Sequence, residues 1–336
     1  MSKKIEYIIL YNDRHEEYDL FADLKGRDDV HLVVTHFKPV KTTIGKYLRK
    51  IHLSRNIADC ITLPFKKKWY EKVHIRIEED VQYYFIVFDM AIATVPVSYL
   101  KSITKRSNVK SVLIMVNSAG GAIIRHAQKE INKIKWDAIY TFDDEDAKKY
   151  SYRRLGNCYY SKHTEEELKH ISTKGESDLY YVGSLVPNRK KLIISVYERL
   201  KNGKANVEYH LMKTGKERYE KFPYENEIDY FTTNRGFIPY KQVLASVLNT
   251  NTILEIVQAT QSGPSLRYYE AVCYNKKLLT NNPHIINFPF YDNRYMKVFT
   301  KPEDIDVDWV KEEAPVDYHY NNEFSPINLL DKVKEI

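Results

Sequence analysis

The stretch Leu254-Glu-Ile-Val-Gln-Ala-Thr-Gln261-Ser-Gly-Pro-Ser265-Leu-Arg267-Tyr-Tyr-Glu270-Ala271 holds the densest set of residues suited to chemistry. An apolar run, Ile253–Val257, leads into a polar turn where Gly263 permits close backbone approach to a ligand. Pro264 suits a first helical position, and Ser262 or Ser265 can cap. A helix starting there presents free N–H groups, a ready place for a phosphate or diphosphate. Arg267 adds a planar cation in the first turn, and Glu270, one turn on, can accept from ribose hydroxyls. The bland alternative is an ordinary strand–turn–helix junction with Glu270 as a surface acid.

A second cluster is basic. Lys38 to Arg76 contains eleven Lys and Arg but only two acids, Asp59 and Glu71, an excess larger than the whole chain's net charge of +7. Ile44, Tyr47, Leu48 and Ile51 recur at helical spacing beside Lys46, Arg49 and Lys50. That stripe is expected to bury itself against the first domain with its cations outward. Leu63-Pro64-Phe65-Lys66-Lys67-Lys68-Trp69-Tyr70 then mixes cations with aromatics. Such a pattern suits an anionic leaflet or a lipid diphosphate, or else it is a solvated helix face. The charge is confined to one insertion with no nucleic-acid module, so nucleic acid is not expected as a partner.

The elements that must position these residues alternate from end to end. Ile5–Tyr11, Val30–Thr35, Tyr83–Phe88, Ser111–Val116 and Ala138–Phe142 are short apolar runs, as strands buried on both faces should be. Ile123, Ala127, Ile131 and Ile134 share a helical face, and Asp143-Asp144-Glu145-Asp146 opens a further helix ending near Tyr150. The pattern restarts with Leu179–Val182, a strand ending in Gly183, and a helix through Leu192, Val196 and Leu200. Strands follow at Val207–Met212, Ile228–Thr232, Ile253–Val257 and Lys277–Thr280, with helices from near Pro239 and at Ser265–Tyr274. Alternation of this kind predicts parallel sheets covered by helices. The polar stretch Glu165–Asp178 marks the divide. The fold class is therefore α/β, two Rossmann-like doubly wound domains facing across a cleft, where strand ends bind ligands. The expected boundaries are 1–172, 178–312 and a tail, 313–336, packing back on the first domain.

Composition narrows the class. The chain's 336 residues, 29% charged and 43% hydrophobic, are globular values for which two cores are expected. Three scattered cysteines, Cys60, Cys158 and Cys273, argue against a disulfide framework or thiolate zinc site. The apolar N-terminal run stops at Asn12-Asp13 with no cleavage site after it, and Tyr83–Leu100 is interrupted by Asp89, Pro96 and Ser98. A cytoplasmic protein is expected. No Gly-x-Gly-x-x-Gly follows Ile5–Tyr11, which disfavours a redox Rossmann protein. Tyrosine is abundant, 28 against 13 Phe, which fits either binding surfaces or codon bias.

The second half resembles the donor-binding domain of the two-Rossmann (GT-B) glycosyltransferases, especially bacterial ones for capsule and other cell-surface polysaccharides. Tyr180-Tyr-Val-Gly183-Ser-Leu-Val-Pro-Asn-Arg189-Lys190-Lys191 resembles that domain's opening strand, glycine loop and basic residues. Asn234-Arg-Gly-Phe-Ile238-Pro-Tyr240-Lys-Gln-Val resembles the loop whose backbone reads the base. Ser262-Gly263-Pro264-Ser265-Leu266-Arg267-x-x-Glu270-Ala271, with Gln261 before it, resembles the motif in which two Glu flank seven residues. The second Glu falls on Glu270, which the resemblance makes a ribose ligand. The first falls on Ser262, so a retaining outcome does not carry over. The likeness covers about 178 to 300, and says nothing of the sugar.

The resemblance implies transfer of a sugar from a nucleotide-sugar donor, UDP-type, to a cell-surface glycan or lipid-linked acceptor. A non-catalytic scaffold and a sugar-nucleotide epimerase are the alternatives. No other cofactor and no metal is expected. Asp144-Glu-Asp146 has metal-motif spacing but reads as a capping cluster at a helix start. The diphosphate is then met by the helix dipole and by Arg189, Lys190 and Arg267, with Lys213 a weaker candidate. An inverting enzyme needs a base at a strand end: Asp13, beside His15, or Asp89 after Tyr83–Phe88, with Asn117 positioning. Either acid is otherwise a turn or cap residue. The basic segment implies a peripheral site at the inner leaflet of the membrane.

Overall fold

A computed structural model of the chain describes residues 3–12, 19–53, 66–117, 130–156, 158–215, 219–232, 238–258 and 261–336. The backbone forms two units, Met1–Ser161 with Phe324–Ile336, and Lys162–Glu323. The polar stretch 165–178 thus lies inside the second unit, where Glu165–Leu168 forms a helical turn capped by Thr164.

The first unit is a parallel six-stranded sheet ordered β2-β1-β3-β4-β5-β6. Its strands are β1 (Lys4–Asn12), β2 (Val30–Thr35), β3 (Val81–Phe88), β4 (Val109–Met115), β5 (Ala138–Thr141) and β6 (Arg153–Arg154). The central three read as continuous apolar runs because helices and loops cover both faces. Ile8, Leu10, Phe85, Val87, Leu113 and Met115 fill one side, against Leu100 and Ile103 of the helix Val97–Thr104. The order of strand addition reverses between β1 and β3, so their carboxyl ends form this sheet's switch point. The helix expected through Ile123–Ile134 lies largely outside the described residues. The C-terminal helix Pro326–Val333 belongs to this unit. Tyr160 N–H donates to Phe324 O at 2.9 Å, Ser325 Oγ donates to the Asp23 carboxylate, and Leu329, Leu330 and Val333 are buried.

The helix Thr43–His52 forms where the stripe predicts it, with Thr42 as N-cap. The expected burial of that stripe is wrong: no residue of the helix is buried, and Ile44, Tyr47 and Leu48 are exposed. Helical spacing sets which residues share a face, but not whether anything covers it.

The second unit has the order β12-β11-β10-β7-β8-β9, again all parallel. Its strands are β7 (Ser177–Leu185), β8 (Val207–Lys213), β9 (Asp229–Thr232), β10 (Thr250–Glu255), β11 (Lys277–Thr280) and β12 (Met296–Val298). Three strands run outward on each side of the β7/β10 reversal, the nucleotide-binding Rossmann order. The helix Pro187–Asn202, with Pro187 in its first turn, packs Ile193, Val196 and Leu200 on Leu179, Leu211 and Leu254. Fully buried Lys277 donates to the carbonyls of Trp309 and Glu312, closing the short helix Val307–Lys311. Both units are therefore doubly wound Rossmann-like α/β domains.

Candidate active site at the β7/β10 reversal

The turn-helix after β10 is built around an acid that sequence reasoning passed over. Glu255 ends β10 fully buried and accepts from Ser265 Oγ at 2.5 Å, Ser265 N–H at 3.2 Å and Thr280 Oγ1 at 2.6 Å. Burial pushes its carboxyl above the ordinary carboxylate range, and the Ser265 and Thr280 bonds oppose this. Ser265, not Ser262, is the N-cap of the helix Leu266–Cys273, its Oγ accepting from Arg267 N–H at 3.2 Å. Pro264 accordingly precedes the cap instead of opening the helix. Gln261 Nε2 and Asn282 Nδ2 donate to Gly263 O at 3.2 and 3.4 Å, shaping the turn in which Ser262 is buried. The helix N-terminus therefore meets one carboxylate from behind, in its own sheet.

Glu270 is fully buried on the inner face of that helix. Its Oε1 accepts from Tyr240 Oη at 2.8 Å, and Oε2 lies 2.6 Å from Arg267 Nη1. Burial pushes this carboxyl up to about 7; the Arg267 charge and the Tyr240 hydroxyl pull it down, while Glu255 adds to the rise. Arg267, Glu270 and Tyr240, expected in three separate roles, meet in one cluster. Tyr240 opens the helix Tyr240–Leu248, preceded by half-buried Ile238; residues 234–237 of the expected base-reading loop lie outside the described residues. Leu266, the first helical residue, is half-buried.

The cations divide into two places. Arg189 Nη1 donates to Ile256 O at 2.6 Å, stitching the first turn after β7 to the end of β10 across the reversal. Lys190 pairs with Glu220 and sits 4.7 Å over the Phe222 ring. Lys213, the last residue of β8, lies 4.9 Å over the same ring and donates to Glu220 O at 3.1 Å. Beyond Lys213 is a cavity of about 360 Å³ lined also by Glu225, Glu227 and Asp229, acids that oppose an anion there. Gly183 is inside β7, not in a loop after it. A Cβ at Gly183 would lie 2.5 Å from Tyr181 Oη, so the glycine makes room for a tyrosine of its own strand.

In the first unit, Asp13 and His15 lie outside the described residues. Asp89 begins the helical turn Asp89–Ile92 and is fully buried. Its Oδ2 accepts from Val116 N–H at 3.0 Å and Asn117 N–H at 2.9 Å, and Asn117 Nδ2 lies 3.2 Å from both oxygens. Burial pushes Asp89 up to about 6 against these donors. It ties the end of β3 to the end of β4, which brings the two sequence candidates Asp89 and Asn117 together. Asp143 caps the helix Asp144–Tyr150, accepting from Glu145 and Asp146 N–H at 3.0 Å, so the acidic run is a capping cluster. Among the described residues, no group of three or more His, Cys, Asp or Glu has the geometry to hold a metal ion.

No family model matches the chain, and no curated protein matches it. Solved structures do. Over 98% of this chain and 99% of the other, it resembles a structure titled as apo OtsA, at a TM-score of 0.52 and 9% identity. A UDP-N-acetylglucosamine 2-epimerase from Rickettsia bellii covers 99% of this chain and 97% of its own, at 0.52 and 12% identity. A sucrose-phosphate synthase from Thermosynechococcus elongatus covers 98% of each chain, at 0.51 and 6% identity. Together with the two sheet orders, these likenesses show the two-domain GT-B fold.

Proposed function

We propose that the protein is a glycosyltransferase of the cell-surface polysaccharide type. It moves a sugar from a UDP-type donor to a glycan or lipid-linked acceptor, without a metal, at the cytoplasmic face of a membrane. The observation that carries this reading is the convergence of the capped helix Leu266–Cys273 with Arg267, Glu270 and Tyr240 beside the β7/β10 reversal. In open α/β sheets, ligands bind at such a crevice. Arg267 exchanges its Glu270 contact for the donor diphosphate, and the helix dipole supports the leaving group. Glu270, released from Arg267, meets the ribose together with Tyr240, which already donates to it. Arg189 holds the crevice in shape, while Lys190 and Lys213 add positive potential from the Phe222 side. Gly183, Ile238, Gln261, Ser262, Gly263, Ser265 and Leu266 shape the walls. For an inverting reaction Asp13 is the base, and Asp89 keeps the neighbouring strand ends in register.

The likeness to a UDP-N-acetylglucosamine 2-epimerase favours, as a second reading, epimerisation of the donor itself. A thermal-shift panel of nucleotides and nucleotide sugars tests both. A true donor at a hundred times its dissociation constant stabilises by about 2.7 kcal/mol. If no nucleotide raises the melting temperature, both readings fall. If a donor is consumed without acceptor to give its epimer, the second replaces the first.

A further inference from the structure

The helix Thr43–His52 is held at its ends and left open along its apolar face. Thr42 Oγ1 accepts from Gly45 N–H at 3.1 Å, Arg49 Nη1 donates to Lys38 O at 3.0 Å, and Trp69 Nε1 donates to His52 Nδ1 at 2.9 Å. A Cβ on Gly45 would lie 2.5 Å from Val40, so the helix is seated closely on the segment before it. Yet Ile44 is 75% exposed, Tyr47 66% and Leu48 41%. Lys41, Lys46 and Lys50 are exposed around this stripe, and no Asp or Glu occurs from Lys38 to Leu53.

We infer that this helix is an interfacial anchor for an anionic bilayer. It lies in the headgroup plane with Ile44, Tyr47 and Leu48 turned into the acyl boundary and its lysines among the lipid phosphates. An apolar stripe framed by cations and free of acids matches such a surface in both polarity and charge. A second copy of the helix is a poor partner, since like charges would frame both sides of the contact. Arg49, through Lys38 O, and His52, through buried Trp69, fix the helix to the segments beside it, so the bilayer orients the protein instead of merely tethering it. The anchor goes beyond the proposed membrane-face location and rests on it only for its usefulness. Vesicle partition tests the anchor, and nucleotide binding in solution tests the activity, so the two fail separately.

The full chain is co-sedimented with phosphatidylcholine vesicles, with and without roughly a third of phosphatidylglycerol, at low and high salt. Wild type is expected to pellet with the anionic vesicles alone and to be released in part by salt. Ile44→Asp combined with Leu48→Asp should lower partition at least about tenfold at unchanged melting temperature. Tyr47→Trp should show a blue-shifted emission quenched by brominated acyl chains. Wild type that ignores anionic vesicles overturns the inference. So does a double variant that partitions like wild type, or Tyr47→Trp emission that vesicles leave unchanged, because either would mean adhesion by charge without insertion.

Discussion

The helices Thr43–His52 and Leu266–Cys273 are both short, both amphipathic and both carry arginine, yet they are used in opposite ways. In the second, six of the eight residues are buried and the arginine is locked to a buried glutamate. In the first, none is buried and the apolar stripe faces outward. A pattern of spacing defines a face. What it meets is decided by other chain segments: β10 and Tyr240 for one helix and, among the described residues, its own flanks and Trp69 for the other.

The sharpest way to break the contrast is to remove Glu270. Glu270→Ala removes the buried carboxyl that Arg267 and the Tyr240 hydroxyl meet and should cost about 3–5 kcal/mol in urea unfolding. Glu270→Gln should cost less. Its carboxyl is raised from 4.5 to about 7, so the folded state binds the extra proton. The proton-linked part of the Glu270 contribution is fully present below the ordinary pKa and is lost as pH rises through about 7, on the order of 3 kcal/mol in all. Glu270→Gln should flatten that part of the stability profile. An unchanged slope would show that Glu270 does not titrate in this window.

Smaller effects are expected at three other positions. Asp89→Asn replaces a carboxylate that accepts from Val116 and Asn117 and should cost about 1–3 kcal/mol, with nucleotide affinity unchanged. Gly183→Ala should cost roughly 1–3 kcal/mol by overpacking, because its methyl would meet Tyr181 Oη. In a Tyr181→Phe background the penalty should shrink; an equal penalty would place its origin elsewhere. Least of all, Ile44→Asp should change stability by under about 0.5 kcal/mol, as at any uncovered surface position. A loss above 2 kcal/mol would mean that the stripe is packed in solution.

Much of the fold was legible because strands buried on both faces leave unmistakable runs, such as Ile5–Tyr11 inside β1 and Val207–Met212 inside β8. The edge strands β6 and β12, of two and three residues, are too short to leave a pattern. In the site, Ser265, Arg267 and Glu270 were legible from their spacing around Gly263. Glu255 was missed although it stands in the same stretch. Its signal is a lone carboxylate closing an otherwise apolar buried strand, which must find donors at that end. Gly183 was misplaced because a glycine's reason is its neighbour, here Tyr181 two residues back on the same strand face. Ser262 and Ser265 cannot be told apart as caps without the backbone.

In the proposed activity a nucleotide diphosphate binds at the head of Leu266–Cys273 by taking Arg267 from Glu270. Titration calorimetry of UDP and of uridine into wild type and Arg267→Ala tests it most directly. Wild type is expected to bind UDP, and Arg267→Ala to lose about 1.5–3 kcal/mol for UDP while uridine binding barely moves. Wild type that binds neither, or a variant that loses both equally, would contradict it.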